Sequence, residues 1–291
     1  MNKKILSLAV AAALAVPMAA QADVSVNGAV SMDLYNDSTS TASLSGGDAG
    51  TSKLEINVKD GDAFAKVAFN TVNMFGGAAP GAREHLAGIK LGGANVSVGR
   101  LASAYAGTMK VDTMTANFLE ARDQVGGVSK VSSFDNGMLG VDGKSGDVSW
   151  ALQYGIADTT NARLNAGVKF KAGPASVGIG YQTDSAGNTS TGLSAKMKFG
   201  DIAVAASFEN ADSAHMNGTN VGGTAETSIF ADVSMPMGGG TVGLGLGSNT
   251  TNSTTFTRVS YQQKMGAATI TAGARSADGA TRAGLGLAVR F

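Results

Sequence analysis

The chain has 291 residues, of which 41 are glycine, four are proline and none is cysteine. Its 22 basic and 22 acidic residues give a formal net charge of zero, and charged residues make up only 15% of the chain. The lack of cysteine excludes disulfide, iron–sulfur and thiolate chemistry. The balanced charge, without a basic tract, argues against a nucleic-acid partner.

The first 22 residues predict a secretory signal peptide. Lys3 and Lys4 precede an apolar stretch from Ile5 to Val16, and Ala20-Gln21-Ala22 has the A-x-A pattern of a cleavage site. A transmembrane helix would need about 20 apolar residues, and this stretch is shorter. We therefore expect cleavage after Ala22 and a mature chain, residues 23–291, that leaves the cytoplasm of a bacterium.

Alternation with a period of two begins directly after the signal peptide. Apolar residues from Val24 to Leu34 alternate with small or polar residues, and Leu54 to Val58 repeats the pattern. Further alternating segments cover residues 164–170, 175–181, 193–199, 202–208, 229–233, 242–246 and 285–291. A period of two places alternate side chains on opposite faces of a strand. Counting all such segments predicts about 16 strands, an even number as in bacterial outer-membrane barrels.

The connections between these segments alternate in length. Short, glycine-rich hairpin signals occur at residues 60–62, 92–93, 144–147, 172–174, 200–201, 237–240 and 265–267. Longer polar stretches lie between them, at residues 36–50, 101–136 and 210–223. Short turns at one end and long loops at the other are typical of outer-membrane barrels. The sequence thus predicts an all-β fold, a transmembrane antiparallel β-barrel.

The aromatic residues support this prediction by their positions on the strands. One group falls near the ends that lead into long loops: Tyr35, Phe69, Tyr181 and Phe208. A second group falls near the short turns: Trp150, Phe170, Phe199 and Phe291. Two aromatic girdles, one at each membrane interface, are expected for a barrel in a bilayer.

Three segments resemble the Gram-negative general porin family: Ala22–Gly28 (ADVSVNG), Ala87–Gly92 (AGIKLG) leading to Val98–Leu101 (VGRL), and Gly284–Phe291 (GLGLAVRF). The resemblance is one of pattern over the whole mature chain. It implies a homotrimer in the lipid of the Gram-negative outer membrane. Each subunit would form a water-filled channel for passive diffusion of ions and small hydrophilic solutes. The terminal Phe291 resembles the signal that the barrel-assembly machinery reads.

The same resemblance implies that the long third loop, here residues 101–130, folds into the pore and narrows it. This loop carries Asp112, Glu120 and Asp123, but it lacks the proline–glutamate–phenylalanine–glycine element of some porin third loops. Strand parity predicts a basic pore lining of Lys53, Lys59, Lys66, Lys90, Arg258 and Arg290. Arg100 matches the family's wall arginine, although its own parity points outward.

Basic wall residues opposite loop carboxylates would set up a transverse field that tunes ion passage. In the alternative interpretation these residues are ordinary solvated charges with little selectivity, and the sign of the ion preference stays open. No catalytic residue, metal site or cofactor is predicted. The only histidines, His85 and His215, have no partner at a spacing that suggests catalysis or zinc binding.

Other functions remain as alternatives. An outer-membrane enzyme barrel would need a histidine with a serine or acidic partner. A secreted adhesin is suggested by the glycine, serine, threonine and asparagine content, but it would not need aromatic girdles. A dedicated sugar or ion channel would show aromatic residues toward the pore, and only Phe64 and Phe230 have that parity.

Overall fold

The computed structural model describes residues 22–38, 40–45, 52–71, 81–109, 111, 113, 119, 134–156, 162–184, 187–212, 215–216, 219–220, 225–250, 253–277 and 280–291. These ranges contain nineteen strands and one six-residue helix. In chain order the elements are β1 (Asp23–Asp37), β2 (Ser40–Ser45), β3 (Lys53–Asp60), β4 (Ala63–Asn70), β5 (Gly81–Leu91), β6 (Ala94–Ala102), α1 (Ala104–Met109), β7 (Phe134–Ser145), β8 (Val148–Gly155), β9 (Ala162–Ala172), β10 (Ala175–Asp184), β11 (Thr189–Phe199), β12 (Ile202–Ala211), β13 (His215–Met216), β14 (Thr219–Asn220), β15 (Glu226–Met237), β16 (Gly240–Asn249), β17 (Thr254–Met265), β18 (Ala268–Ala277) and β19 (Ala280–Arg290).

Seventeen strands form one antiparallel sheet that closes on itself, because β1 pairs with β19 as well as with β2 and β3. β2 pairs with the second half of β1 and β3 with the first half, so together they occupy one position in the wall. The barrel therefore has 16 strand positions, which confirms the predicted fold class. The two remaining strands, β13 and β14, form a separate small hairpin.

Seven two-residue turns connect strands at one end of the barrel, which also holds Asp23 and Phe291; we call it the short-turn end. The first turn residue is a glycine with φ between 56° and 62° in every case: Gly61, Gly92, Gly146, Gly173, Gly200, Gly238 and Gly266. Gly239, after Gly238, has a positive φ as well, 80°. These φ signs match type I′ for Gly238-Gly239 and type II′ for the other six turns. Both types follow the twist of the flanking strands, and all seven lie where the sequence predicts them.

The two faces of the wall differ in polarity. The outer face is apolar and exposed, as shown by Leu34 (52% exposed), Leu193 (51%) and Leu285 (56%). The inner face carries buried polar side chains such as Ser31 (0% exposed) and Ser194 (2%). A water-soluble sheet would bury its apolar face, so this inversion is the pattern of a barrel that faces lipid.

The aromatic residues lie at the predicted ends of their strands, and Tyr35, at the end of its strand, is the one whose outward parity was not expected. Phe208, Tyr181 and Phe199 are exposed on the outer face. Tyr35 instead shares its parity with the buried Asp33, packs against Leu119 and lies under the Arg282 guanidinium. It therefore belongs to the inner face.

The chain's last residue completes the closure of the barrel. Gly28 and Phe291 exchange two backbone hydrogen bonds, of 2.9 and 3.0 Å. A methyl group on Gly28 would lie 2.5 Å from Cε2 of the Phe291 ring, so the ring covers the glycine. An aromatic ring over a cross-strand glycine is a known way to fix register.

Two elements differ from the sequence prediction. β2 lies within the stretch 36–50 that was predicted as a loop, and its backbone continues the pairing along β1. Helix α1 lies within the predicted third loop. In the ranges described, no helix is long and apolar enough to cross a membrane.

Candidate functional site

Helix α1 docks on the inner face of β8 to β11, and the wall fixes its first turn. Ser103 accepts a hydrogen bond from the Ala106 amide at 3.1 Å, the geometry of an N-cap. Asn165 accepts from the Tyr105 amide at 2.6 Å and donates to the Ser103 hydroxyl at 2.7 Å. Gln153 accepts from the Ala104 amide at 3.1 Å and donates to the Ala102 carbonyl at 2.7 Å. The side-chain amides of Gln153 and Asn165 thus satisfy backbone groups that have no hydrogen-bond partner within the helix.

A track of wall glycines makes room for the helix. A methyl group on Gly180 would lie 2.7 Å from Cδ2 of Tyr105, and one on Gly192 would lie 2.5 Å from Cε of Met109. At Gly167 a methyl group would collide with Thr108. We call Gly167, Gly178, Gly180 and Gly192 the glycine track. Their lack of side chains lets α1 pack directly on the backbone of the sheet.

Two wall side chains hold the carbonyl end of α1. Lys169 donates to the Gly107 carbonyl at 2.6 Å, and Ser194 donates to the Thr108 carbonyl at 2.9 Å. Tyr105 is fully buried beneath the helix. Burial, and to a smaller degree the nearby Glu209 carboxylate, raises the pKa of Tyr105 well above its ordinary value.

The segment that joins β6 to β7, residues 103–133, begins with α1, and we call it the connection. Its described residues also contact the wall formed by β15 to β18. The Thr113 amide and hydroxyl both donate to Oδ2 of Asp232, each at 2.7 Å. Arg258 donates to the Leu119 carbonyl at 3.3 Å and forms an ion pair with Asp232 at 2.9 Å. The side chains of Asp232 and Arg258 are both 0% exposed. The described residues of this connection are therefore held at two separate places on the inner wall.

A row of arginines extends from this ion pair. Arg258, Arg275 and Arg282 lie directly opposite one another on β17, β18 and β19. The Arg282 guanidinium lies 4.5 Å from the centre of the Tyr35 ring. Arg258 is among the predicted pore-lining residues, whereas Arg275 and Arg282 are not. Only the pairing register brings the three together, and no spacing within the sequence signals it.

Two of the predicted pore-lining lysines lie in a network with carboxylates. Lys66 forms ion pairs with Glu84 and with Glu55, the latter at 3.3 Å. Lys53 forms an ion pair with Glu55 at 2.8 Å. These side chains lie on three neighbouring strands, β3, β4 and β5. Their charges largely cancel, so Lys53 and Lys66 add little net positive potential.

The other predicted residues are separate from this network. Lys59, Lys90 and Arg290 are exposed, and all three lie near the short-turn end with inner-face parity. Arg100 lies opposite His85 and alternates with the buried Leu101, which places Arg100 on the outer face, away from the pore lining.

Arg100 is held near the rim, where it donates to the Arg83 carbonyl at 2.8 Å and to the Asn136 side chain at 2.7 Å. The predicted loop carboxylates Asp112, Glu120 and Asp123 lie outside the described residues. His85 contacts the Phe69 ring, with 5.5 Å between ring centres, on the outer face. Across the described ranges, no group of three or more metal-binding side chains is arranged to hold an ion.

Comparison with known proteins gives one family match and several similar folds. The family model described as Gram-negative porin matches residues 7–286. No curated protein matches the chain. Among solved structures, the loop L8 deletion mutant of OmpT, an outer membrane protein of Vibrio cholerae, is similar to this chain. It is 13% identical, with 93% of this chain and 99% of that chain covered and a TM-score of 0.75. The in-vitro folded trimer form of OmpT is also similar (12% identity, 93% and 99%, TM-score 0.72).

Two other porins have the same architecture. The anion-selective porin from Comamonas acidovorans is 13% identical, with 93% of this chain and 100% of that chain covered and a TM-score of 0.70. A mutant of the Rh. blastica porin is 16% identical, with 92% and 100% covered and a TM-score of 0.70. At these identities the structures support the barrel fold alone. The family match covers nearly all of the sequence, and the chain belongs to the Gram-negative porin family.

Proposed function

We propose that this porin forms a water-filled channel through which ions and small hydrophilic solutes diffuse passively, and that residues 101–130 narrow it. The observation that carries the proposal is the double attachment of the connection to the inner wall. α1 packs on the glycine track, and Thr113 and Leu119 contact Asp232 and Arg258. A segment held on both sides reduces the open cross-section.

The proposed pore lining combines exposed and paired charges. Lys59, Lys90 and Arg290 supply exposed positive charge near the short-turn end. Arg258 lines the wall where Leu119 contacts it, and the paired Lys53 and Lys66 line the wall on β3 and β4. The loop carboxylates Asp112, Glu120 and Asp123 would face this wall. Opposed charges at a constriction tune which ions pass.

The proposed setting rests on the signal-peptide pattern of residues 1–22, on the strand that leads to Phe291 and on the family. The signal peptide is removed after Ala22, and the mature chain inserts into outer-membrane lipid as a homotrimer. The barrel-assembly machinery recognises the last strand, which ends in Phe291. The trimer form of OmpT supports the oligomeric state. His85 lies on the outer face beside Phe69, away from the lumen, and this position favours a channel over an enzyme barrel.

Single-channel recording tests this function directly. The purified protein, reconstituted in a planar bilayer in KCl, should open in steps that often come in threes. The reversal potential under a salt gradient then gives the ion preference. A protein that is folded by circular dichroism but gives no conductance would overturn the channel. Deleting the middle of residues 101–130 should enlarge the conductance, and an unchanged value would refute the constriction.

A further inference from the structure

A polar recess lies on the inner wall between β16 and β1, near the short-turn end. Its volume is about 540 Å³, within the range of small-molecule sites. Side chains that can bind a solute line it: Thr241, Gln262, Lys264, Thr269, Thr271 and Arg290. Asp33 lies at its far edge and is the carboxylate of the recess.

The strand register explains the shape of this recess. Thr241, Gln262 and Thr271 lie in one row across β16, β17 and β18, and the row continues through Gly286 to Asp33. Gly286 has no side chain, so the wall is hollow at the centre of the row. The next row begins with Lys264 and Thr269 and continues to the small Ala288. Small residues in the middle of two polar rows leave a cavity with binding groups around it.

The charge of the recess is positive. Lys264 and Arg290 are exposed, and no described carboxylate lies within ion-pair distance of either side chain. Gln262 donates to the Thr271 hydroxyl at 3.1 Å, which fixes the orientation of both polar groups. Two cations together with hydroxyl and amide groups suit an anion that also carries hydroxyls.

The recess is separate from the place where the connection contacts the wall. Lys264 is six residues from Arg258 along β17, which corresponds to about 20 Å at the rise of a strand. The part of the connection described here, up to Leu119, contacts Arg258 and not the lining of the recess.

We propose that this recess is a binding site for an anionic, hydroxyl-bearing solute of the sugar phosphate class. Lys264 and Arg290 bind the phosphate, and Thr269, Thr271 and Gln262 bind the hydroxyls. The proposal rests on the proposed channel, because a solute reaches the recess through the lumen. A solute held there adds a binding step on the short-turn side of the constriction.

The test uses glucose 6-phosphate as the probe, with glucose and inorganic phosphate as reference solutes. Binding is measured by titration calorimetry on the detergent-solubilised trimer and by current blockade in single channels. Lys264→Gln should weaken glucose 6-phosphate binding about tenfold, the loss expected for one charge-assisted hydrogen bond. The matched control is Lys144→Gln, which removes one exposed lysine at the same end of the barrel, outside the recess, and should leave the affinity within about twofold.

A second variant distinguishes a specific binding site from a surface that attracts phosphate only through its positive charge. Thr269→Val keeps the charge and removes one hydroxyl. It should weaken glucose 6-phosphate binding and leave inorganic phosphate unchanged. Equal losses from Lys264→Gln and Lys144→Gln would overturn the site, as would Thr269→Val with unaltered binding. Because calorimetry needs no conductance, absent binding in a protein that conducts KCl refutes the site alone. Absent conductance refutes the channel itself.

Discussion

The strongest test of how the connection is held is the substitution Asp232→Asn. Asp232 accepts two hydrogen bonds from Thr113 and pairs with Arg258, and the two paired side chains are fully buried. The asparagine side chain has nearly the same shape, so packing is preserved. The substitution removes the negative charge that pairs with the buried Arg258 cation.

The cost can be estimated from the burial of the pair. Removing one partner of a buried ion pair destabilises by about 3–5 kcal/mol, chiefly because the other charge stays desolvated. The barrel is held by a closed ladder of backbone hydrogen bonds over 16 strand positions. The described residues of the connection are held by far fewer contacts than the barrel. We therefore expect the lost free energy to weaken the docking of the connection and to leave the barrel folded. Each ~1.4 kcal/mol changes the docked-to-undocked ratio tenfold, and the undocked population should rise by a factor of about 100 to 1,000 or more.

Open-channel noise, conductance and trypsin cleavage of the folded trimer measure this release. Asp232→Asn should increase all three. Asp142→Asn is the matched control, because Asp142 accepts a hydrogen bond from Asn95 at 2.9 Å within the wall and forms no hydrogen bond or ion pair with the described residues of the connection. Adding Arg258→Met removes the buried cation as well and should restore part of the docking. If Asp232→Asn matches the wild type in conductance, noise and cleavage, the buried pair does not hold the connection.

Three further predictions concern the helix and the wall charges. Gly180→Ala should raise the conductance and Gly180→Val should raise it further, because a side chain at this position collides with Tyr105 and overpacking costs about 1–3 kcal/mol. Equal conductance in the wild type and both variants would contradict the docking of α1. Lys66→Gln should shift the reversal potential toward cations, since Glu55 and Glu84 lose their shared partner. The same change at Lys171, whose pair with Asp147 is exposed at the short-turn end, should shift the reversal potential less. The raised pKa keeps the buried Tyr105 protonated at about pH 10, where an unfolded tyrosine ionises, so its contribution to docking is complete below that pH and declines above it. Tyr105→Phe should therefore leave the height of the tyrosinate absorbance step near pH 10 unchanged, and a smaller step would argue against burial.

The strands and turns could be predicted because both depend on local chemistry. Alternation with a period of two follows from the geometry of a strand, and in a barrel one side of each strand meets lipid. Each short turn needs a residue with positive φ, which glycine supplies at Gly61, Gly92 and five other positions. These signals lie within a few residues of each other in the sequence. The strand count followed from them even though β2 and β3 share one position in the wall.

The site was less predictable because it depends on contacts between distant segments. Helix α1 is six residues long and has no sustained apolar stripe to mark it. It is held by Gln153 and Asn165, which follow it by roughly 50 to 60 residues in the chain. The glycine track and the arginine row likewise exist only once neighbouring strands are in register. Composition reports 41 glycines, but it does not separate those that turn the chain from those that seat a helix.

The ion pairs change what a count of wall charges means. Parity alone gives a basic inner face, yet Arg258 is neutralised by Asp232, and Lys66 by Glu55 and Glu84. Lys59, Lys90, Lys264 and Arg290 are exposed near the short-turn end, and none has a described ion-pair partner. The inner-face cations without a described ion-pair partner therefore lie at one end of the channel, where exposed carboxylates such as Asp60, Asp62 and Asp201 also lie. Because such exposed charges act over about 10 Å at 0.1 M salt, the cations around the recess attract an anion only when it is near the short-turn end. In the proposed channel the two regions contribute separately to selectivity: the exposed lysines and arginine attract anions locally, and the connection limits the width.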